Sequence, residues 1–107
     1  MRYLMMSKTS DNQPDERVYA EMASFIDELT KSGVVLATGG LDTTGTKLSS
    51  ANGEITVTDG PFTEANEAVG GFALVEVRTK EEAIEIGRRF LKIVGDGESL
   101  MQEVFGP

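Results

Sequence analysis

Two carboxylates in this 107-residue sequence stand out for their surroundings. Asp59 opens the run Asp59-Gly60-Pro61-Phe62, and Glu76 alternates with Phe72 and Leu74 in a stretch of strand periodicity. A carboxylate held at a strand end beside a pocket can act as a base or as a polar anchor. Asp also starts turns by accepting backbone N–H bonds, while Gly relieves φ and Pro fixes it. The two readings of Asp59 are compatible, because a rigid turn can hold a carboxylate in place. Glu76 should lie on a central strand, facing a cleft or a subunit interface. Arg2 and Glu103 are its candidate partners from neighbouring strands, and a structural ion pair competes there with catalysis. The candidate catalytic residues are therefore Asp59 and Glu76. The candidate ligand contacts are Asp59, Gly60, Pro61, Phe62, Gly71 and Arg2. Phe62 either lines a pocket or packs in the core. Gly70-Gly71 permits close ligand approach or marks a bulge. It does not follow a strand and open a helix as a dinucleotide fingerprint does.

Composition narrows the chemistry further. There is no cysteine and no histidine. Disulfides, thiolate metal sites, Cys nucleophiles, Ser-His-Asp triads and histidine-bound zinc are thereby excluded. Proton transfer has to use a carboxylate, Tyr, Lys or water, with Tyr3 and Tyr19 as the available phenols. No metal or cofactor is expected. The net charge of −8, from 18 acidic and 10 basic residues, repels phosphate backbones and argues against nucleic acid as a direct partner. No apolar run approaches the ~20 residues of a membrane span. The start Met1-Arg2-Tyr3-Leu4-Met5-Met6-Ser7 is too short for a signal peptide, so a cytoplasmic location is expected.

The elements that must position these residues can be read from period and punctuation. Arg2 to Met6 is a strand, followed by a polar loop from Ser7 to Gln13. Pro14 stands at a first helical position, with Asp15 and Glu16 suiting the helix N-terminal dipole. Val18, Met22, Phe25 and Leu29 form one apolar helical stripe, and Gly33 fits the position that ends it. The first helix thus spans Asp15 to Ser32. Val34 to Leu41 is a strand. Lys47 to Ser50 and Glu54 to Thr58 form a hairpin around Asn52-Gly53, whose residues tolerate positive φ. Asp59 to Phe62 is a turn and Thr63 to Ala68 a short irregular or helical piece. Thr43 to Thr46 reads as a loop. Gly71 to Val77 is the clearest strand. Thr79-Lys80-Glu81-Glu82 reads as a capping box opening a second helix to about Ile93, with Ala83, Ile86, Gly87, Phe90 and Val94 as its buried stripe. Gly87 lets that helix lie close against a neighbour. Leu100 to Phe105 is the last strand.

This order predicts one α+β domain over residues 1–107. Its architecture is a ferredoxin-like βαββαβ with an inserted hairpin, an antiparallel sheet and two helices on one face. Two helices cover only one face of such a sheet. The other face carries alternating apolar residues and needs a cover, which a second copy of the chain can supply as a dimeric α+β barrel.

The segment Val57-Thr58-Asp59-Gly60-Pro61-Phe62-Thr63-Glu64-Ala65-Asn66-Glu67, followed by Gly70-Gly71-Phe72, resembles the DGPF branch of the YCII-related proteins. So do the opening strand Arg2-Tyr3-Leu4-Met5-Met6 and the late pair Glu103-Val104. The resemblance spans essentially the whole chain. It implies a ferredoxin-like fold and a homodimer that binds a small molecule or acts as a regulatory module. It also implies an alternative, lyase- or isomerase-like proton transfer by Asp59 in a cleft. The wider family includes a dehydrochlorinase of aromatic degradation, and a His–Asp pair is the catalytic element suggested there. This chain has no His, so only the Asp, carried to Asp59, remains of that pair.

Overall fold

A computed structural model describes residues 1–8, 15–42, 44–60 and 69–106. Its strands are β1 (Arg2–Lys8), β2 (Val35–Gly40), β3 (Thr46–Ala51), β4 (Glu54–Asp59), β5 (Val69–Glu76) and β6 (Ser99–Glu103). Its helices are α1 (Glu16–Lys31) and α2 (Lys80–Val94).

Local chemistry sets the helix ends. The Asp15 carboxylate accepts the Val18 N–H at 2.9 Å, which makes Asp15 the N-cap of α1. The helix therefore starts at Glu16, two residues after Pro14, which lies outside the described residues. At the other end Gly33 takes φ 79°. Gly33 N–H then donates to Thr30 O and Val34 N–H to Leu29 O, the paired bonds of a Schellman stop. Thr79 caps α2 by accepting the Glu82 N–H at 3.2 Å. The Glu82 carboxylate reaches back one residue further than the usual box, to the Arg78 N–H at 2.7 Å.

β2, β5, β1 and β6 form one sheet in that order, each neighbour antiparallel. This is the ferredoxin-like arrangement, with β3–β4 inserted between its second and third strands as a separate two-stranded sheet. The hairpin turn uses Asn52 at φ 52° and Gly53 at φ 81°, the two positive angles that a tight primed turn needs.

Register assigns the two faces. Paired residues share a face, so the helix side of the sheet carries three rows across its strands. One row is Val35, Val75, Tyr3 and Glu103; the next is Thr38, Ala73, Met5 and Met101; the last is Gly40, Gly71, Ser7 and Ser99. The first two rows pack with Phe25 and Leu29 of α1 and Ala83, Ile86 and Phe90 of α2 as the core. Gly87 allows the predicted close approach: a Cβ there would lie 3.3 Å from Met5 Cε. Arg89 then ties α2 to α1. Its guanidinium donates to both Glu28 carboxylate oxygens, at 2.8 and 3.0 Å, and lies 4.7 Å from the centre of the Phe25 ring.

Several expectations need correction. Val94 is exposed and Ile93 packs on the core in its place, because the stripe drifts at the last turn. The final strand stops at Glu103, so Val104 and Phe105 are exposed beyond the ladder. Glu103 falls in the Tyr3 row, on the opposite face from Glu76, and cannot partner it. Asp59 closes β4 opposite Thr46 and does not begin a turn, since its backbone stays in the hairpin ladder. The piece expected over Thr63 to Ala68 lies outside the described residues, as does Thr43.

The second face of the four-stranded sheet is open. Leu4, Met6, Phe72 and Leu74 lie half-buried on it and Leu100 is exposed. No described helix is long and apolar enough to cross a membrane.

Candidate functional site

The third row is where the sheet and helices part. Gly40, Gly71, Ser7 and Ser99 stand side by side across all four strands, none with a large side chain. The helices meet bulky residues over the first two rows and find little to pack against here. A cleft of about 380 Å³ results, between the sheet and the helix layer. Its apolar walls come from Met22, Phe25 and Ile26 on α1 and Ile86 and Phe90 on α2, above Met5.

Polar atoms are few. Ser7, Ser99 and Tyr19 bring hydroxyls, and Thr38 brings one that already donates to Phe72 O at 2.9 Å. No carboxylate, lysine or arginine is among the described residues that line the cleft. It suits a neutral, largely apolar molecule, oriented by hydroxyls and exposed backbone groups. Gly71 matters for shape, because a Cβ there would lie 3.2 Å from Ser7 Oγ and 3.3 Å from Gly39 O. The glycine keeps that floor flat.

The sequence candidates fall in three places. Gly71 lines the cleft. Glu76 and Arg2 sit opposite one another on the open face, their charged groups 3.7 Å apart and half-exposed, on the other side of the sheet from the cleft. Strand alternation causes this, since Glu76 follows the buried Val75. Asp59 lies in the separate hairpin, where the Thr46 hydroxyl donates to its Oδ1 at 2.7 Å. Gly60 follows it, its N–H bonded to Gly45 O at 2.8 Å. Pro61 and Phe62 are outside the described residues. Among the described residues, then, Asp59 and Glu76 are in different sheets and neither lines the cleft.

Sequence reasoning missed Ser7, Thr38 and Ser99. They are small residues in polar surroundings, and only register across non-adjacent strands aligns Ser7 with Ser99 and Gly71. Tyr19 carried a weak signal as a phenol beside the α1 stripe.

Tyr3 is the other phenol. Burial under the helices, then the negative charges of Glu103 and Glu81, push its hydroxyl above the usual tyrosine range. It lies in the first row, away from the cleft.

Comparisons with known proteins agree with this architecture. Among proteins of curated function, none is similar in sequence. A solved structure similar in fold is 5-chloro-2-hydroxyhydroquinone dehydrochlorinase from Burkholderia phenoliruptrix AC1100, in complex with 2,5-dihydroxybenzoquinone. The likeness has a TM-score of 0.53 at 13% identity and covers 100% of this chain and 96% of that one. The model of the YCII-related domain, the family also called DGPF, matches residues 1–90. With that match over most of its length, the chain belongs to the YCII-related domain family.

Proposed function

We propose that this protein is a homodimeric small-molecule-binding module whose ligand, a neutral ring compound bearing hydroxyl or carbonyl groups, sits in the cleft between sheet and helices. The observation that carries this is the lining. It offers apolar walls and neutral hydroxyls, with no carboxylate among the described residues. At about 380 Å³ the cleft falls in the ~300–1,000 Å³ range of small-molecule sites. The dehydrochlorinase of similar fold was solved with a hydroxylated quinone, a ligand of this size and character. The net charge of −8 makes nucleic acid a poor partner and a cytoplasmic, soluble life the natural setting.

A thermal-shift panel of hydroxylated benzenes and quinones tests the reading. Wild-type protein should gain stability with at least one compound, by about 2.7 kcal/mol at a hundred times its Kd. Ser7→Leu, which fills the small-residue row, should gain none. Equal shifts in both proteins would overturn the cleft as the site.

A second reading is lyase- or isomerase-like proton transfer by Asp59, with Glu76 assisting. One observation favours it. Both carboxylates lie on surfaces that a single chain leaves uncovered: Glu76 on the open sheet face and Asp59 on the exposed hairpin. A dimer would bring those surfaces to its interface. The reading predicts activity that Asp59→Asn abolishes and that Ser7→Leu alone also reduces.

A further inference from the structure

The β3–β4 hairpin is amphipathic without covering anything in its own chain. Register places Thr46, Leu48, Ser50, Ile55, Val57 and Asp59 on one face. The charged side chains Lys47 and Glu54 are on the other. Every residue of both strands is exposed, and Leu48, Ile55 and Val57 remain 68%, 70% and 61% accessible. A lone two-stranded hairpin is marginal in water, and an apolar strand face left open is a contact surface. The radius of gyration, 15.9 Å, exceeds the ~13 Å of a compact domain of this length, as a projecting arm requires.

We infer that the hairpin is a dimerisation arm, its Leu48–Ile55–Val57 face packing on a second copy of the chain and placing Asp59 at the boundary between protomers. This rests on the homodimer proposed above and extends the interface from the sheet to the hairpin. Three features point to a second copy as the occupant. The chain has two unpartnered apolar surfaces, the hairpin face and the open sheet face with Leu4, Met6, Phe72 and Leu74, and a two-fold axis can cover both at once. Together they offer apolar area on the order of the ~800 Å² per partner that a standard interface buries, which neither provides alone. The docking face is also nearly free of charge, as interface cores are. Its one ionised group, Asp59, already accepts the Thr46 hydroxyl at 2.7 Å, which offsets part of its desolvation.

Sedimentation velocity on the full chain tests this, comparing wild type with the double variant Leu48→Ser/Val57→Ser. Wild type should be dimeric at about 10 µM, and the variant's dissociation constant should rise roughly 100-fold, the scale of two lost apolar anchors. Because both side chains are exposed within one chain, the variant should keep the circular dichroism spectrum of the wild type. In hydrogen exchange, the β3 and β4 amides of the wild type should slow as concentration rises. A variant that dimerises as tightly as wild type, with exchange in β3 and β4 independent of concentration, would overturn the arm and leave a sheet-to-sheet dimer standing. Wild type monomeric at about 100 µM would overturn the arm and the homodimer together, while ligand binding in the cleft would be unaffected.

Discussion

Ser7 and Gly71 face each other across β1 and β5, and a Cβ on Gly71 would come within 3.2 Å of Ser7 Oγ. Their smallness is what leaves the cleft open at that end of the sheet. Gly71→Val should therefore both narrow the cleft and strain its floor, where Gly39 O is only 3.3 Å from the same point. Overpacking of this kind costs about 1–3 kcal/mol, read as a lower urea midpoint. Adding Ser7→Gly should recover part of the loss, because the two positions share one crowded contact.

The Thr79 cap gives a test independent of the site. Thr79→Ala leaves the Glu82 N–H without its acceptor and should cost about 1 kcal/mol. Thr79→Ser should retain nearly all of it. Equal losses in the two variants would mean that the hydroxyl is not the source of the stability.

Acid stability should report on the Glu28–Arg89 clamp. The hydrogen bonds from the Arg89 guanidinium, and then its charge, hold the Glu28 carboxyl below its usual range, partly opposed by desolvation. A carboxyl whose pKa is lowered by folding stabilises the protein above its unfolded value, here 4.5, and that contribution disappears as pH falls through the folded value. Arg89→Met should thus be less stable than wild type at neutral pH. The gap should close on acidification below the folded pKa of Glu28. A gap that stays constant with pH would assign the loss to the Arg89–Phe25 contact alone.

Tyr3 makes the opposite prediction at alkaline pH. Its pKa is raised from 10.0, first by burial and then by Glu103 and Glu81. Between the unfolded and folded values the native state holds the extra proton, so stability falls as pH rises beyond 10. Tyr3→Phe should lose that part of the decline. Spectrophotometric titration should show one of the two tyrosines ionising late.

Local signals in the sequence carried most of the fold. Gly33, Asn52-Gly53 and the Thr79–Glu82 pair each settle an element boundary through a bond that spans only a few residues. Alternation in Phe72 to Val77 correctly separated the core-facing Val75 and Val77 from the Arg2–Glu76 side. The cleft was far less legible. Its floor joins β2, β5, β1 and β6, and no short-range pattern reveals which small residues will fall in one row. Asp59 shows the converse. Its Gly-Pro context reads as a turn, yet pairing with Thr46 keeps it in a strand. The apolar side chains Leu48, Ile55 and Val57 looked like ordinary strand residues, and only the isolation of their hairpin makes them conspicuous.

The position of the ligand is most directly measured by methyl NMR during titration with a hydroxylated benzoquinone. The methyl groups of Met5, Met22 and Ile86, which line the cleft, should shift in a saturable way, while those of Leu4, Leu74, Leu48 and Val57 stay in place. Saturable shifts confined to Leu48 and Val57, beside Asp59, would contradict the cleft and move the site to the hairpin.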